Sequence, residues 1–121
     1  MNRLVITAET FIDGTSLYGP CSVTLDVAHV IPFSFLITPG SGSYQELNVG
    51  SALNAGKLRA LILMPTKIIT VKVQGASNEI TVSAGGIFML ANFLGRAGAM
   101  PQVANGSVDD ATLNGFLAGD S

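Results

Sequence analysis

The run from Lys57 to Phe88, KLRALILMPTKIITVKVQGASNEITVSAGGIF, constrains the fold more than any other stretch. Leu58 to Met64 is apolar except for Arg59, and Pro65 ends it. Ile69, Val71 and Val73 then alternate with Thr70, Lys72 and Gln74. Gly75 to Asn78 reads as a turn, after which Ile80 and Val82 alternate with Thr81 and Ser83. β-Branched residues at period two place one set of side chains on each face of an extended chain, and Gly, Pro and Asn punctuate it. The segment predicts three strands in succession.

The same pattern extends in both directions. Arg3 to Thr7 reads as a short strand that continues at Thr10 to Ile12, followed by an Asp13-Gly14 turn and a loop from Thr15 to Pro20. Ser22 to Ala28 alternates, with Val23, Leu25 and Val27 on the inward face. Val30 to Thr38 is a strand that carries Phe33 and Phe35 on one face, and Pro32 assigns it to an edge because proline donates no ladder hydrogen bond. Pro39 to Ser43 is a loop and Tyr44 to Val49 a further strand. Asn54-Ala55-Gly56 predicts one helical turn capped by a left-handed Gly56. Ile87 to Leu90 is a short apolar run, and Gln102 to Ala104 and Ser107 to Asp109 flank Asn105-Gly106, the favoured two-residue hairpin turn. Ala111 to Ala118 is the last strand, with a bulge expected at Asn114-Gly115. Eight to ten short strands without an amphipathic helix predict an all-β fold. The expected architecture is one antiparallel β-sandwich over residues 1–121, jelly-roll-like, with a small β-barrel as the alternative.

Composition bears on whether such a domain is stable alone. Charged residues make up 12% of the 121-residue chain and hydrophobic ones 48%, where an average chain is about 25% charged. A small domain has much surface per unit volume, so the expectation is an obligate oligomer or a lattice component. Net charge is −2, and the six cations (Arg3, Lys57, Arg59, Lys67, Lys72, Arg96) are scattered. Lys67 and Lys72, an odd number apart, point to opposite faces of one strand. Nucleic-acid binding needs several clustered phosphate contacts and is not expected. Cys21 stands alone, which excludes an internal disulfide framework; it reads as a small buried hydrophobe. Thr7, Glu9 and Asp13 interrupt the only leader-like start, and Gly85 to Met100 is too short and glycine-broken to span a bilayer, so neither export nor membrane insertion is expected.

The search for chemistry is mostly negative. His29 is the only histidine and reads as a strand-end residue with a local hydrogen bond. Asp109 and Asp110 are adjacent, point apart in an extended chain, and lack the EF-hand spacing for calcium. The Gly40-Ser41-Gly42-Ser43 loop has no following Lys and no helix, which a phosphate-binding loop requires; it reads as a hairpin connection or a contact loop. No catalytic set, metal-ligand set or cofactor motif is present, so the chain is not expected to be an enzyme or to take a cofactor. Sugar-binding sandwiches stack their ligands on exposed aromatics; Trp is absent and only Tyr18 and Tyr44 could serve. Phe88, Met89, Leu90, Phe93, Leu94 and Met100 form a glycine-spaced apolar cluster. Aromatic and Met residues are enriched at interfaces, so Phe88, Met89, Phe93, Leu94 and Met100 are the candidate subunit contact, with the arm from Met1 to Ile12 as the alternative.

One resemblance can be stated on the stretches ITVKVQGASNEITVSAGGIFML and ATLNGFLAGDS. From Lys57 to Ser121 the chain resembles small virion proteins of tailed bacteriophages, a group that includes capsid decoration (cement) proteins. The resemblance rests on texture and hairpin pattern and carries no catalytic residues. It implies a structural protein of the virion, assembled in the bacterial cytoplasm, that stabilises a phage head by binding between capsid subunits as a homotrimer. Its partners would be the major capsid protein or other virion subunits. A tail, neck or baseplate component is the alternative within that group, and a carbohydrate-binding sandwich is the alternative outside it.

Overall fold

The structure is a computed structural model in which residues 1–47, 53–74 and 79–121 are described. Ten strands run through them: β1 (Asn2–Ile12), β2 (Thr15–Val27), β3 (His29–Ile37), β4 (Gln45–Glu46), β5 (Leu58–Pro65), β6 (Ile69–Lys72), β7 (Ile80–Val82), β8 (Phe88–Ala91), β9 (Gln102–Asn105) and β10 (Ala111–Gly119). β1 and β2 pair only with each other. The other eight form two four-stranded sheets, a front sheet ordered β3-β10-β5-β8 and a back sheet ordered β4-β9-β6-β7.

Every pairing is antiparallel, and the body pairs are nested: β3 with β10, β4 with β9, β5 with β8, β6 with β7. The chain therefore behaves as one long hairpin folded over itself. Each connection between consecutive body strands crosses between sheets except the one from β6 to β7. This is the jelly roll that the strand spacing predicts, and the two open sheets exclude the closed barrel.

Alternation places the core between the sheets. Leu61 and Leu63 of β5, Leu113 and Leu117 of β10, Ile69 and Val71 of β6 and Val103 of β9 are almost wholly buried there. Burying each Leu contributes about 1.5–3 kcal/mol. Phe33 and Phe35 stack at 4.9 Å between ring centres on the inner face of the edge strand β3, which also bears Pro32.

Several local expectations are corrected. Thr15 to Pro20 is not a loop but the first part of β2, which pairs with β1 along its full length through two irregularities, between Ala8 and Thr10 and between Thr10 and Phe11. Cys21 is exposed on this ribbon instead of buried, because nothing packs over that part of it. Asn105-Gly106 does not turn a hairpin: β9 pairs with β4 and β6, and Ser107 to Asp109 is a loop. Asn105 is fully buried and holds that loop, donating from Nδ2 to the carbonyls of Ile37 (2.9 Å) and Asp109 (2.7 Å) while Oδ1 accepts from the Ser107 amide at 2.9 Å. β10 runs regularly past Asn114 and Gly115, and its irregularity lies at Ala118–Gly119. The helical turn is a 3₁₀ turn at Ala55–Lys57, with Gly56 inside it and Asn54 capping its start. Gly40 to Ser43 joins the two sheets and so is not a hairpin connection. Lys67 precedes β6 and lies 3.9 Å from Asp109. The expected turn at Gly75 to Asn78 and the residues Asn48 and Val49 of the expected Tyr44 strand lie outside the described residues.

Candidate functional site: a projecting ribbon and an apolar sheet face

The ribbon β1–β2 is two structures in sequence. At its root, Leu4 faces Leu25 and Ile6 faces Val23 across the pair. These side chains pack with Val27 on the outer face of the front sheet, against Val30, Ala60, Phe116 and Ala118. Ala60 and Ala118 lie opposite each other in the sheet, and their small side chains let the ribbon sit close. Beyond Ala8 the ribbon leaves the body: every residue from Glu9 to Ser22 is exposed. Five residues from Ala8 to Ile12 carry the tip roughly 15 Å outward, at about 3.3 Å per residue.

The tip is apolar. Phe11 is 61% exposed, Ile12 58%, Leu17 69% and Tyr18 69%. From Thr10 to Cys21 the single charged residue is Asp13. A β-ribbon with unpaired outer edges and large apolar side chains in water is a surface that associates.

The outer face of the front sheet carries a second apolar surface. Pro32, Phe116, Ile62 and Met89 stand opposite one another on β3, β10, β5 and β8, forming one row across all four strands. The ribbon root covers the neighbouring row of Val30, Ala118 and Ala60 and reaches Phe116. It leaves Met89 40% exposed, and Met64 and Leu36 also lie open on that side. The back sheet presents the opposite chemistry: Glu46, Gln102 and Lys72 form a row on it, with Thr70 and Thr81 paired beside them.

The sequence-derived contact cluster divides in two. Phe88, Phe93 and Met100 pack against the core, as does Leu90, whereas Met89 and Leu94 are exposed. The alternative contact, the arm from Met1, lies in the ribbon. Sequence alone makes a loop of the arm's second strand, Thr15 to Pro20, and so misses half of the tip. Leu17 and Tyr18, two large apolar side chains in an apparent loop, are the signal that points to it.

The residues considered for chemistry are placed as follows. His29 opens β3 and its Nε2 lies 2.7 Å from the hydroxyl of Ser121, a partner distant in sequence, not local. The Asp109 side chain faces Lys67. Among the described residues no three His, Cys, Asp or Glu side chains come together. The Tyr44 ring is capped by the Lys72 ammonium at 4.1 Å from its centre, and its hydroxyl donates to Thr70 Oγ1 at 3.0 Å. Burial, with a further push from Glu79, holds the Tyr44 phenol above its ordinary value despite the opposing Thr70 contact. Tyr44 is thus half-buried with one face of its ring under Lys72, whereas Tyr18 is 69% exposed on the ribbon tip. A groove of about 230 Å³ opens where β3 and β4 part, lined by Phe35, Leu36, Ile37, Gln45, Glu46, Leu47 and Val103. Among the described residues its polar lining is the side chains of Gln45 and Glu46. No helix among the described residues is long and apolar enough to cross a membrane.

Comparison with family models, with curated proteins and with solved structures finds no match for this chain.

Proposed function

We propose that this chain is a structural assembly protein that works by being bound into a larger particle, and that the particle is a phage virion. In this reading it serves as a decoration protein, seated between capsid subunits, with a tail, neck or baseplate position as the alternative. The observation that carries it is the ribbon tip. Four large apolar side chains are held away from the body on a paired strand scaffold, where they add nothing to the chain's own core. Ordering and exposing such a tip costs free energy that only a partner's surface offsets. The jelly roll is consistent with a virion role without requiring it, since that architecture also serves lectins and cupins. The phage assignment comes from the sequence resemblance over Lys57 to Ser121.

The mechanism is mechanical. Apolar side chains and free strand edges buried across a joint between subunits raise the work needed to separate them, and occupancy follows mass action. The test is to purify particles from cells that make the protein, with and without its gene. The expected result is the chain in the particle fraction at a fixed ratio to the main shell protein, and particles lacking it that break at lower temperature. A chain that stays wholly in the soluble fraction would refute the proposal.

A further inference from the structure

We infer that the open edge of β3 takes an extended segment of another protein as an added strand, with one apolar side chain of that segment seated in the groove between β3 and β4. The inference does not depend on the particle in which the chain acts.

The backbone selects the occupant. Thr66 follows β5; its amide donates to the Thr112 carbonyl at 3.0 Å, and its hydroxyl accepts from the Thr112 amide at 2.8 Å. The backbone of Thr112 therefore faces β5. Successive residues of an antiparallel ladder turn their N–H and C=O to opposite sides. Leu113, Gly115 and Leu117 thus face β3 and bond their opposites Phe35, Phe33 and Ile31. Pro32, Ser34 and Leu36 turn their backbone groups the other way, and a proline fits that side because no amide is required there. Among the described residues β10 is the only strand beside β3 in its sheet. The amides of Ser34 and Leu36 and the carbonyls of Pro32, Ser34 and Leu36 are left pointing outward in strand register. An extended chain meets all of these groups at once.

This edge is also undefended. The other sheet edges are short, β4 with two residues, β7 with three and β8 with four, and shortness is a common protection against pairing with another chain. β3 has nine residues. Pro32 guards its first half, but Phe33 to Ile37 contains no proline and no charge, and its pairing with β10 runs without a bulge.

The groove sets the side-chain pattern. A residue added opposite Phe35 points its side chain inward, as Phe35 does, into the space lined by Phe35, Ile37, Leu47 and Val103. The groove's volume of about 230 Å³ is below the roughly 300 Å³ at which small-molecule sites begin and suits a side chain of an added strand. The residues opposite Ser34 and Leu36 stand on the outer face of the sheet. Glu46 is the one ionisable group in the described lining, so the rim disfavours an acidic segment and favours a neutral or basic one.

The purified full-length protein tests this directly. In the free protein, amide exchange followed by NMR is expected to be fast at Ser34 and Leu36 and slow at Phe33 and Phe35. Random peptides of about twelve residues, displayed on yeast, are then selected on the protein. The expected winners carry apolar residues at alternate positions, lack Asp and Glu, and slow exchange at Ser34 and Leu36 when added as free peptides. S34P removes an outward amide without touching the β10 ladder. Its melting temperature is expected to stay near that of the natural chain while peptide affinity falls about tenfold or more, the loss of one backbone hydrogen bond. Methylating alternate amides of a winning peptide leaves the protein unchanged; it is expected to abolish binding in one frame and spare it in the other.

A selection that enriches no peptide, winners rich in acidic residues, or equal binding to S34P and the natural chain would each overturn the inference. So would methylation that acts alike in both frames. Slow exchange at Ser34 and Leu36 in the free monomer would mean that the chain covers its own edge. Self-association that S34P abolishes would mean that a second copy takes the edge, and either result would overturn the inference.

Discussion

Gly115 stands in the middle of β10, between β3 and β5, where the Ile62 carbonyl approaches so closely that a Cβ would overlap it. Gly115→Ala therefore forces the central strands apart, and denaturant unfolding is expected to show a loss of about 1–3 kcal/mol. Asn105 makes the opposite point, that a buried polar group is stabilising when every partner is present. Asn105→Ala strands the buried Ile37 carbonyl and frees the Ser107–Asp109 loop; the same measurement should show a loss of about 1–3 kcal/mol. Tyr44 gives a pH signature. Its folded-state proton is held more tightly than in the unfolded chain, so its contribution is fully present below the ordinary value of 10.0 and is lost as pH rises through the raised one. An alkaline melting series should fall more steeply for the natural chain than for Tyr44→Phe.

At the scale of elements, the ribbon divides into a root that packs and a tip that does not. Joining Ala8 to Cys21 through a two-residue Asn-Gly turn removes only exposed residues. The shortened chain is expected to unfold within about 0.5 kcal/mol of the natural one, as exposed substitutions generally do, and, on the proposed role, to drop out of the particle fraction. The same division explains what is legible in the sequence. Val23, Leu25 and Val27, like Ile69 and Val71, alternate because one face is buried and the other is not, and both strands can be read from that alternation. Thr15 to Pro20 is exposed on both faces, so no burial imposes an alternation, and Gly19-Pro20 mimics a loop. Asn105-Gly106 misleads for a related reason: its turn chemistry is real, but tertiary pairing of β9 with β4 and β6 sets its role. Of the functional surface, the exposed residues Met89 and Leu94 are recognisable as interface types. The row that contains Met89 is not, because Pro32, Phe116, Ile62 and Met89 come together only through the nested pairing of four distant strands.

For the whole molecule, the decisive asymmetry is between the outer faces of the two sheets. The back sheet displays Glu46, Gln102 and Lys72 to water, while the front sheet displays apolar side chains and bears the ribbon. The ribbon itself carries Arg3, Glu9, Asp13 and Asp26, so what sets the front apart is its large exposed apolar side chains and not a lack of charge. Particle binding through those side chains should be strengthened by sulfate, which favours apolar burial; binding that sulfate leaves unchanged or weakens would count against it.

The body opens at His29 and returns at Ser121, and the two meet: His29 touches the Ser121 hydroxyl, the Ala28 amide donates to Asp120 at 2.8 Å, and Lys57 Nζ reaches the Ser121 carbonyl at 2.9 Å. This latch ties the two ends of the eight-stranded body together, while the ribbon root stays packed on its front sheet. Only the tip, from Glu9 to Ser22, takes no part in either closure, so it is the stretch free to change length, sequence or target while the jelly roll behind it keeps its shape.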